Sequence, residues 1–504
     1  MNTLAAPLAG LLLLLTVNPG YAMSANLACP YGDTCSPPQT PYLSFHSPQS
    51  GEMLFTSGKQ IEIVCQSGLR AVGLRWTLHR NMVEKPFREG LAEALPANCF
   101  VIAIPTAGLH PGFYDLRVTL DSGMENEEKD RLKARPVRGV CTFGWKADRM
   151  AIAESRPADF KAFWDEAKAK LASIPLDARE GPMQTFGPKE INDYNRTSAA
   201  LPPDYDPAGH KCETVESGKV DFAGPDGGRV YGWLAKPAPQ RAEGSAAGPE
   251  GKGPFPAMLV LPGAGFNARP RPLEHARHGY VALDLQVHGQ EVDLKEYPKL
   301  PGYYDHIVYE PTAAYYYYNV YLRCLQALNY LRSRPDVDPQ RLVVVGGSQG
   351  GRLAIVLAGL DPRVAAAVPA IAWGANAPHA RWITCLNGFV PRKWPPVVDP
   401  ALVKSDGMAT AGAPPLFNEP EERCLAYYDP MNFAPDAHCP ALFNAGLIDP
   451  VSPPYSVFAA FNRWAGKDKT MVALDGLGHD WSAAFDRRAW KWLDSVLNKN
   501  PSGQ

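Results

Sequence analysis

Three residues in this chain could together do covalent chemistry: Ser348, Asp449 and His479. Ser348 stands in RLVVVGGSQGG, where an apolar run ends in glycines packed around a serine and an apolar helical pattern follows. A serine hydroxyl is a poor nucleophile until a base takes its proton. Gly346-x-Ser348-x-Gly350 between strand and helix has the spacing of a nucleophile elbow. That turn lifts the hydroxyl above the sheet edge and points helix amides at developing negative charge. Its crowding demands small neighbours, which the glycines supply.

In such an arrangement the acid and then the histidine follow the serine, each after a later strand. His479, in LDGLGHDW, follows the last strand-like segment, where a loop can carry an imidazole over Ser348. His438, in PDAHCPALF, precedes a strand and so belongs at the wrong end of a sheet, and His379 falls in an irregular stretch. Asp449 comes directly after PALFNAGL, where a buried carboxylate would fix the tautomer of His479 and stabilise its charged form. Asp475 and Asp480 read instead as a turn residue and a solvated one. An imidazole base implies activity that rises with pH as the ring loses its proton. Two oxyanion donors are expected. One is the backbone N–H of Gln349; the other comes from Gly263-Ala264-Gly265, with Ala264 chosen and Gly265 in reserve. This chemistry calls for no metal and no organic cofactor.

The elements that must position these groups are legible as alternating strands and helices. AMLVLPG (257–263), YVALDLQ (280–286), RLVVVGG (341–347), RVAAAVPAIA (363–372), PALFNAGL (440–447) and KTMVALDG (469–476) read as buried strands. A helix precedes the serine strand, with Tyr317, Tyr321, Cys324, Leu328 and Leu331 on one face, and 484–498 is a closing amphipathic helix. KVDFAGPDGGRVYGWLAKP contains a hairpin turned at Asp226-Gly227-Gly228. The pattern predicts an α/β fold with a mostly parallel sheet covered on both faces, its functional groups at the carboxyl ends of the strands.

Upstream, residues 41–140 read as short strands without a convincing helix, which predicts a small all-β, Ig-like sandwich as an accessory domain. A linker and connecting helix, PADFKAFWDEAKAKLASIP, occupy 141–180, and the catalytic domain is expected over 181–504. The stretch 241–254 has the composition of a surface loop. Residues 1–22 read as a secretory signal peptide, followed by a segment at 23–40 that carries Cys29 and Cys35; the chain is therefore expected to be exported, periplasmic or extracellular. Its ten cysteines could form disulfides in such a compartment, and their spacings do not suggest zinc ligation. A net charge of −2 with mixed signs gives no case for nucleic acid or an anionic membrane.

Taken in order, these stretches resemble the acetyl xylan esterase/cephalosporin-C deacetylase group, carbohydrate esterase family seven. The resemblance rests on the helix at 157–175, RVYGWLAKP, GGSQGG, LDPRVAAAVPAIA, and GLIDPVSPPYSVFAAFNRWAGKDKT with GHDW. It implies an α/β-hydrolase fold, removal of acetyl groups from acetylated xylan, xylo-oligosaccharides or small sugars, and the roles of nucleophile, acid and base for Ser348, Asp449 and His479. Two stretches depart from the family pattern: LQVHGQE stands where Arg-Gly-Gln-Gly is usual, and Pro262-Gly263-Ala264 where His-Gly-Tyr is usual. Two rival readings are a prolyl-oligopeptidase-like peptidase and a catalytically silent carbohydrate-binding protein. The aromatic residues Tyr315 to Tyr318, Trp373, Trp382 and Trp394 are expected mainly to pack, some of them near the site.

Overall fold

The computed structural model describes residues 43–69, 71–81, 86–121, 137–198, 209–238, 254–265, 267–298, 311–375 and 419–498. The expectations for 1–22, Cys29 and Cys35, most of 241–254, His379, Trp382 and Trp394 lie outside those residues.

The N-terminal strands are β1 (Leu43–His46), β2 (Leu54–Phe55), β3 (Gln60–Ser67), β4 (Gly73–Arg80), β5 (Arg88–Leu91), β6 (Glu93–Leu95), β7 (Cys99–Pro105), β8 (Gly112–Asp121) and β9 (Arg138–Trp145). They form a four-stranded sheet, β1-β3-β7-β6, and a five-stranded sheet, β2-β9-β8-β4-β5. The sheets meet where Leu43 and Phe45 lie over Gly139 of β9, so closely that a Cβ there would come within 2.8 Å of Leu43. Alternation along β3 buries Ile61, Ile63 and Cys65 between them. The last strand runs through residue 140 to Trp145. β8 is buried on both faces: Asp115 accepts from Thr142 Oγ1 at 2.7 Å, and Phe113 packs edge-on against Phe458 of the following layer at 4.9 Å. The helix Phe160–Ala172 then buries Phe160, Trp164, Ala167 and Leu171, with Trp164 Nε1 donating to the Tyr427 carbonyl at 3.0 Å.

The central sheet has ten strands: β10 (Arg179–Glu180), β11 (Gln184–Phe186), β12 (Val215–Ala223), β13 (Arg229–Pro237), β14 (Phe255–Leu261), β15 (Val281–Gln286), β16 (Val337–Gly347), β17 (Ala366–Ala370), β18 (Ala441–Gly446) and β19 (Lys469–Leu474). β12, β13 and β15 pair antiparallel; from β15 onward the order is β15-β14-β16-β17-β18-β19, all parallel. This is the α/β-hydrolase arrangement expected from the sequence.

Successive residues of the parallel strands face opposite layers, as strand geometry requires. Leu259, Leu283 and Val344 join the core that holds the helix Tyr316–Ser333, whereas Met258, Ala282 and Val343 join the one under the C-terminal helix Ala483–Asn498. Two-sided burial explains why these strands read as continuous apolar runs. Among the described residues, Cys65, Cys141, Cys212, Cys324 and Cys439 are free thiols, and no helix is long and apolar enough to cross a membrane.

Candidate active site

The glycines of the elbow answer to contacts that can be named. Ser348 has φ 58° and ψ −116°, a backbone conformation that costs an L-residue energy and persists only where its surroundings enforce it. Its N–H donates to the Ala370 carbonyl at 3.0 Å, and its carbonyl accepts from Arg352 and Trp373 at 3.1 and 3.0 Å. A Cβ on Gly346 would lie 2.7 Å from the Gly350 backbone, and one on Gly351 2.5 Å from the Ala370 carbonyl; one on Gly350 would collide with the Leu261 carbonyl of β14. Gly347 meets nothing nearer than 4.0 Å. Glycine to alanine within a helix normally stabilises by about 1 kcal/mol. Here Gly350→Ala is expected to destabilise by about 1–3 kcal/mol through overpacking, while Gly347→Ala leaves the melting temperature nearly unchanged. Thermal unfolding of the two variants checks this.

The residues expected as acid and base follow β18 and β19, on the far side of β17 from the serine strand. Asp449 follows β18 and is fully buried. Its Oδ1 accepts from the amides of Val451 and Ser452, each at 2.8 Å, which leaves Oδ2 for His479 Nδ1 at 2.8 Å. His479 follows β19, and its Nε2 lies 2.9 Å from Ser348 Oγ. Serine, imidazole and carboxylate thus form one continuous hydrogen-bonded chain, assembled from the carboxyl ends of β16, β18 and β19. Asp480 bonds only locally, accepting from the Trp481 amide at 2.9 Å, and His438 is exposed ahead of β18.

The turn after β14 lies against the elbow, with Gly263 beside the Gly347 carbonyl and Gly265 at φ 124°. What ties the two together is a side chain that sequence reasoning assigned only a backbone role. Gln349 is fully buried; its Nε2 reaches the Gly263 carbonyl at 3.5 Å and its Oε1 accepts from Tyr317 OH at 3.0 Å. Three other residues were also missed. Asn444 of β18 accepts from the Ile371 amide at 2.8 Å, which holds the chain that receives the Ser348 N–H. Arg352 is buried beneath the elbow, over the rings of Tyr317 (4.4 Å) and Trp373 (5.2 Å), with Nε on Tyr321 OH at 2.6 Å.

His288 is the third, at the departure from the Arg-Gly-Gln-Gly pattern. It follows β15, shares a 2.7 Å hydrogen bond with Tyr316 OH and lies near the Gly265 backbone. Burial, reinforced by the charges of Arg323 and Arg269, lowers its pKa to about 3, so it stays neutral. The signal that could have found Gln349 and His288 was their position right after a strand; their partners lie too far off in sequence to be read. Gln349→Ala is expected to lower kcat by about 10- to 100-fold with KM little changed, through loosening of the Gly263–Gly265 turn. Steady-state kinetics on a soluble ester measure it.

A cavity of about 300 Å³ lies between the sheet and the C-terminal helix, lined by Met258, Val260, Val368, Phe485 and Trp490 among others; it reaches the elbow at Gly346 and Gly347, but neither Ser348 nor His479 lines it.

With the geometry in hand, the sequence model of one family, described as Acetyl xylan esterase (AXE1), matches residues 183–384 and 418–496, more than half the chain. The chain belongs to the acetyl xylan esterase family. As a member it is a carboxylic-ester hydrolase. The curated "Acetyl esterase Axe7A" of Xylanibacter ruminicola is 27% identical to this family member over 380 residues, which are 72% of this chain and 70% of that one. Among solved structures, an acetyl xylan esterase from Paenibacillus sp. R4 is 27% identical with a TM-score of 0.49, covering 69% of this chain and 98% of its own. Acetyl xylan esterase 1 from Thermoanaerobacterium sp. JW/SL YS485 is 20% identical, also at 0.49, covering 69% and 97%.

Proposed function

We propose that this chain is an exported serine esterase that removes acetyl groups from acetylated xylan, xylo-oligosaccharides or related small sugars. The observation that carries the reading is the hydrogen-bonded series from Asp449 through His479 to Ser348. Ser348 Oγ attacks the acetyl carbonyl while His479 Nε2 takes its proton. The charge on the carbonyl oxygen is met by the backbone N–H of Gln349, at the start of the elbow helix, and by that of Ala264 or Gly265. Collapse expels the sugar alkoxide, which receives the proton from His479. Water then repeats the sequence on the acetyl-enzyme and releases acetate. Asp449 holds the imidazole in the tautomer with its proton on Nδ1 and stabilises the imidazolium. Alongside it stand an accessory unit of two β-sheets, expected over 41–140 and carried by its last strand to Trp145, a linker and helix, then a catalytic unit over 181–504. The names of the relatives support the acetylated carbohydrate as substrate.

The test is acetate release from acetylated xylan, acetylated xylo-oligosaccharides and acetylated monosaccharides, beside an aminoacyl nitroanilide. Acetate release with the nitroanilide untouched is the expected result. Nitroanilide turnover without ester hydrolysis would move the peptidase reading to the front; glycan binding without any hydrolysis would favour a binding protein.

A further inference from the structure

Away from the elbow, three side chains converge where the chain enters β12. His210 lies just ahead of that strand, and Glu274 and His278 stand on one face of the short helix Leu273–Arg277 and its end, in an i,i+4 relation. Their ligand-capable atoms all lie within 4.8 Å of one another. Glu274 Oε1 is the common point: it pairs with His210 Nε2 and stands 3.8 Å from His278 Nε2.

The surroundings hold these groups in place. The second carboxylate oxygen, Glu274 Oε2, accepts from Asn195 Nδ2 at 2.8 Å, which fixes the carboxylate and leaves Oε1 facing the imidazoles. The His278 ring stacks flat on Trp490, centroids 3.8 Å apart and planes 1° from parallel. An ordinary histidine–carboxylate pair would account for His210 and Glu274. It leaves His278 unexplained, because that side chain is 1% exposed and its Nε2, turned toward Glu274, makes no hydrogen bond among the described residues. Buried polar atoms are seldom left so.

We propose that His210, Glu274 and His278 bind a divalent transition-metal ion, zinc in the first instance, with water in a fourth position. Two imidazoles and a carboxylate are a donor set that zinc accepts. Tetrahedral bonds of roughly 2.0–2.2 Å put donors roughly 3.3–3.5 Å apart, so His278 needs only a small approach and the His210–Glu274 pair a small opening. Asn195 acts as the outer hydrogen-bonding partner of the carboxylate. Two cations stand nearby and are drawn elsewhere: Arg277 reaches Asn192 Oδ1 at 3.3 Å and Glu213 Oε2 at 3.4 Å, although its Nη1 is also 3.9 Å from Glu274 Oε2, and Lys211 pairs with Asp494 at 2.6 Å. The ion would fasten the segment entering β12 to the helix Leu273–Arg277 and, through Trp490, to the C-terminal helix. Its role is structural and separate from the ester chemistry proposed for Ser348.

The experiment uses the full chain, stripped with a chelator and then offered Zn²⁺ alone or Co²⁺ alone. Expected are one ion per chain, a rise in melting temperature on adding Zn²⁺, and visible cobalt bands of tetrahedral intensity without the near-ultraviolet absorption of a thiolate ligand. All three should be lost in His210→Ala, a partly exposed position chosen because its substitution spares the core, and in His278→Ala. Asn195→Ala should weaken binding by about 10- to 100-fold. If His278→Ala fails to fold, His210→Ala decides alone. Uptake well below one ion, uptake unchanged in His210→Ala, or cobalt spectra showing thiolate ligation would each overturn the proposal.

Discussion

Ser348→Ala is expected to lower kcat by a factor on the order of 10⁶, as removal of the nucleophile does in serine hydrolases whose residues act as a unit. The loss should be chemical and not structural. The Ser348 side chain is tied to His479 Nε2, and the backbone bonds to Ala370, Arg352 and Trp373 survive the change. With serine, histidine and carboxylate acting together as proposed, His479→Ala should cost a similar factor, and the double variant little more than either single one. Whatever rate persists over water would come from the oxyanion donors and substrate binding. Ser348→Gly adds a second check. It is equally inactive, but glycine adopts positive φ without penalty, so it should melt above Ser348→Ala, by about 1 kcal/mol in stability. Melting curves and steady-state rates on one soluble acetyl ester measure all four variants.

Asp449→Asn is expected to lower kcat by about 10⁴ while the fold survives. The reason lies in the two amides that bond Oδ1. Val451 and Ser452 both donate to it at 2.8 Å, so the asparagine carbonyl is held there and its NH₂ is turned toward His479 Nδ1. That nitrogen must then accept, which moves the ring proton to Nε2, the atom proposed to take the proton from Ser348 Oγ. The base is therefore present and well placed but in the wrong tautomer. Kinetics give the size of the loss, and nitrogen NMR of the histidine ring reports the tautomer. A variant with near-normal kcat would remove Asp449 from the mechanism.

Much of this was readable along the chain, because the relevant signals are local. The apolar runs that became β14 to β19 are local, and so is the glycine-serine pattern that became the elbow. Chain order then selected Asp449, which follows a strand of its own ahead of the histidine, over Asp475 and Asp480, and a place beyond the carboxyl end of a strand selected His479 over His438. What could not be read depends on register or on distant partners. Cys65 and Cys99 sit in paired strands, yet Cys65 stands opposite Phe100 and Cys99 opposite Gln66, so strand alternation sends the thiols to opposite faces. The hold of Gln349 on Gly263 and that of Asn444 on Ile371 each join strands far apart in sequence. The cluster of His210 with Glu274 forms only after the helix Leu273–Arg277 folds back onto the entrance to β12.

In the proposed mechanism Ser348 carries the acetyl group. Rapid quenching of the full chain with an activated acetyl ester, followed by peptide mapping in a mass spectrometer, tests it directly. Acetylation is expected within the peptide containing Ser348, with a burst of alcohol that matches the enzyme concentration and is absent from Ser348→Ala. A burst that persists in Ser348→Ala, or an acetyl group found on another residue during turnover, would contradict it.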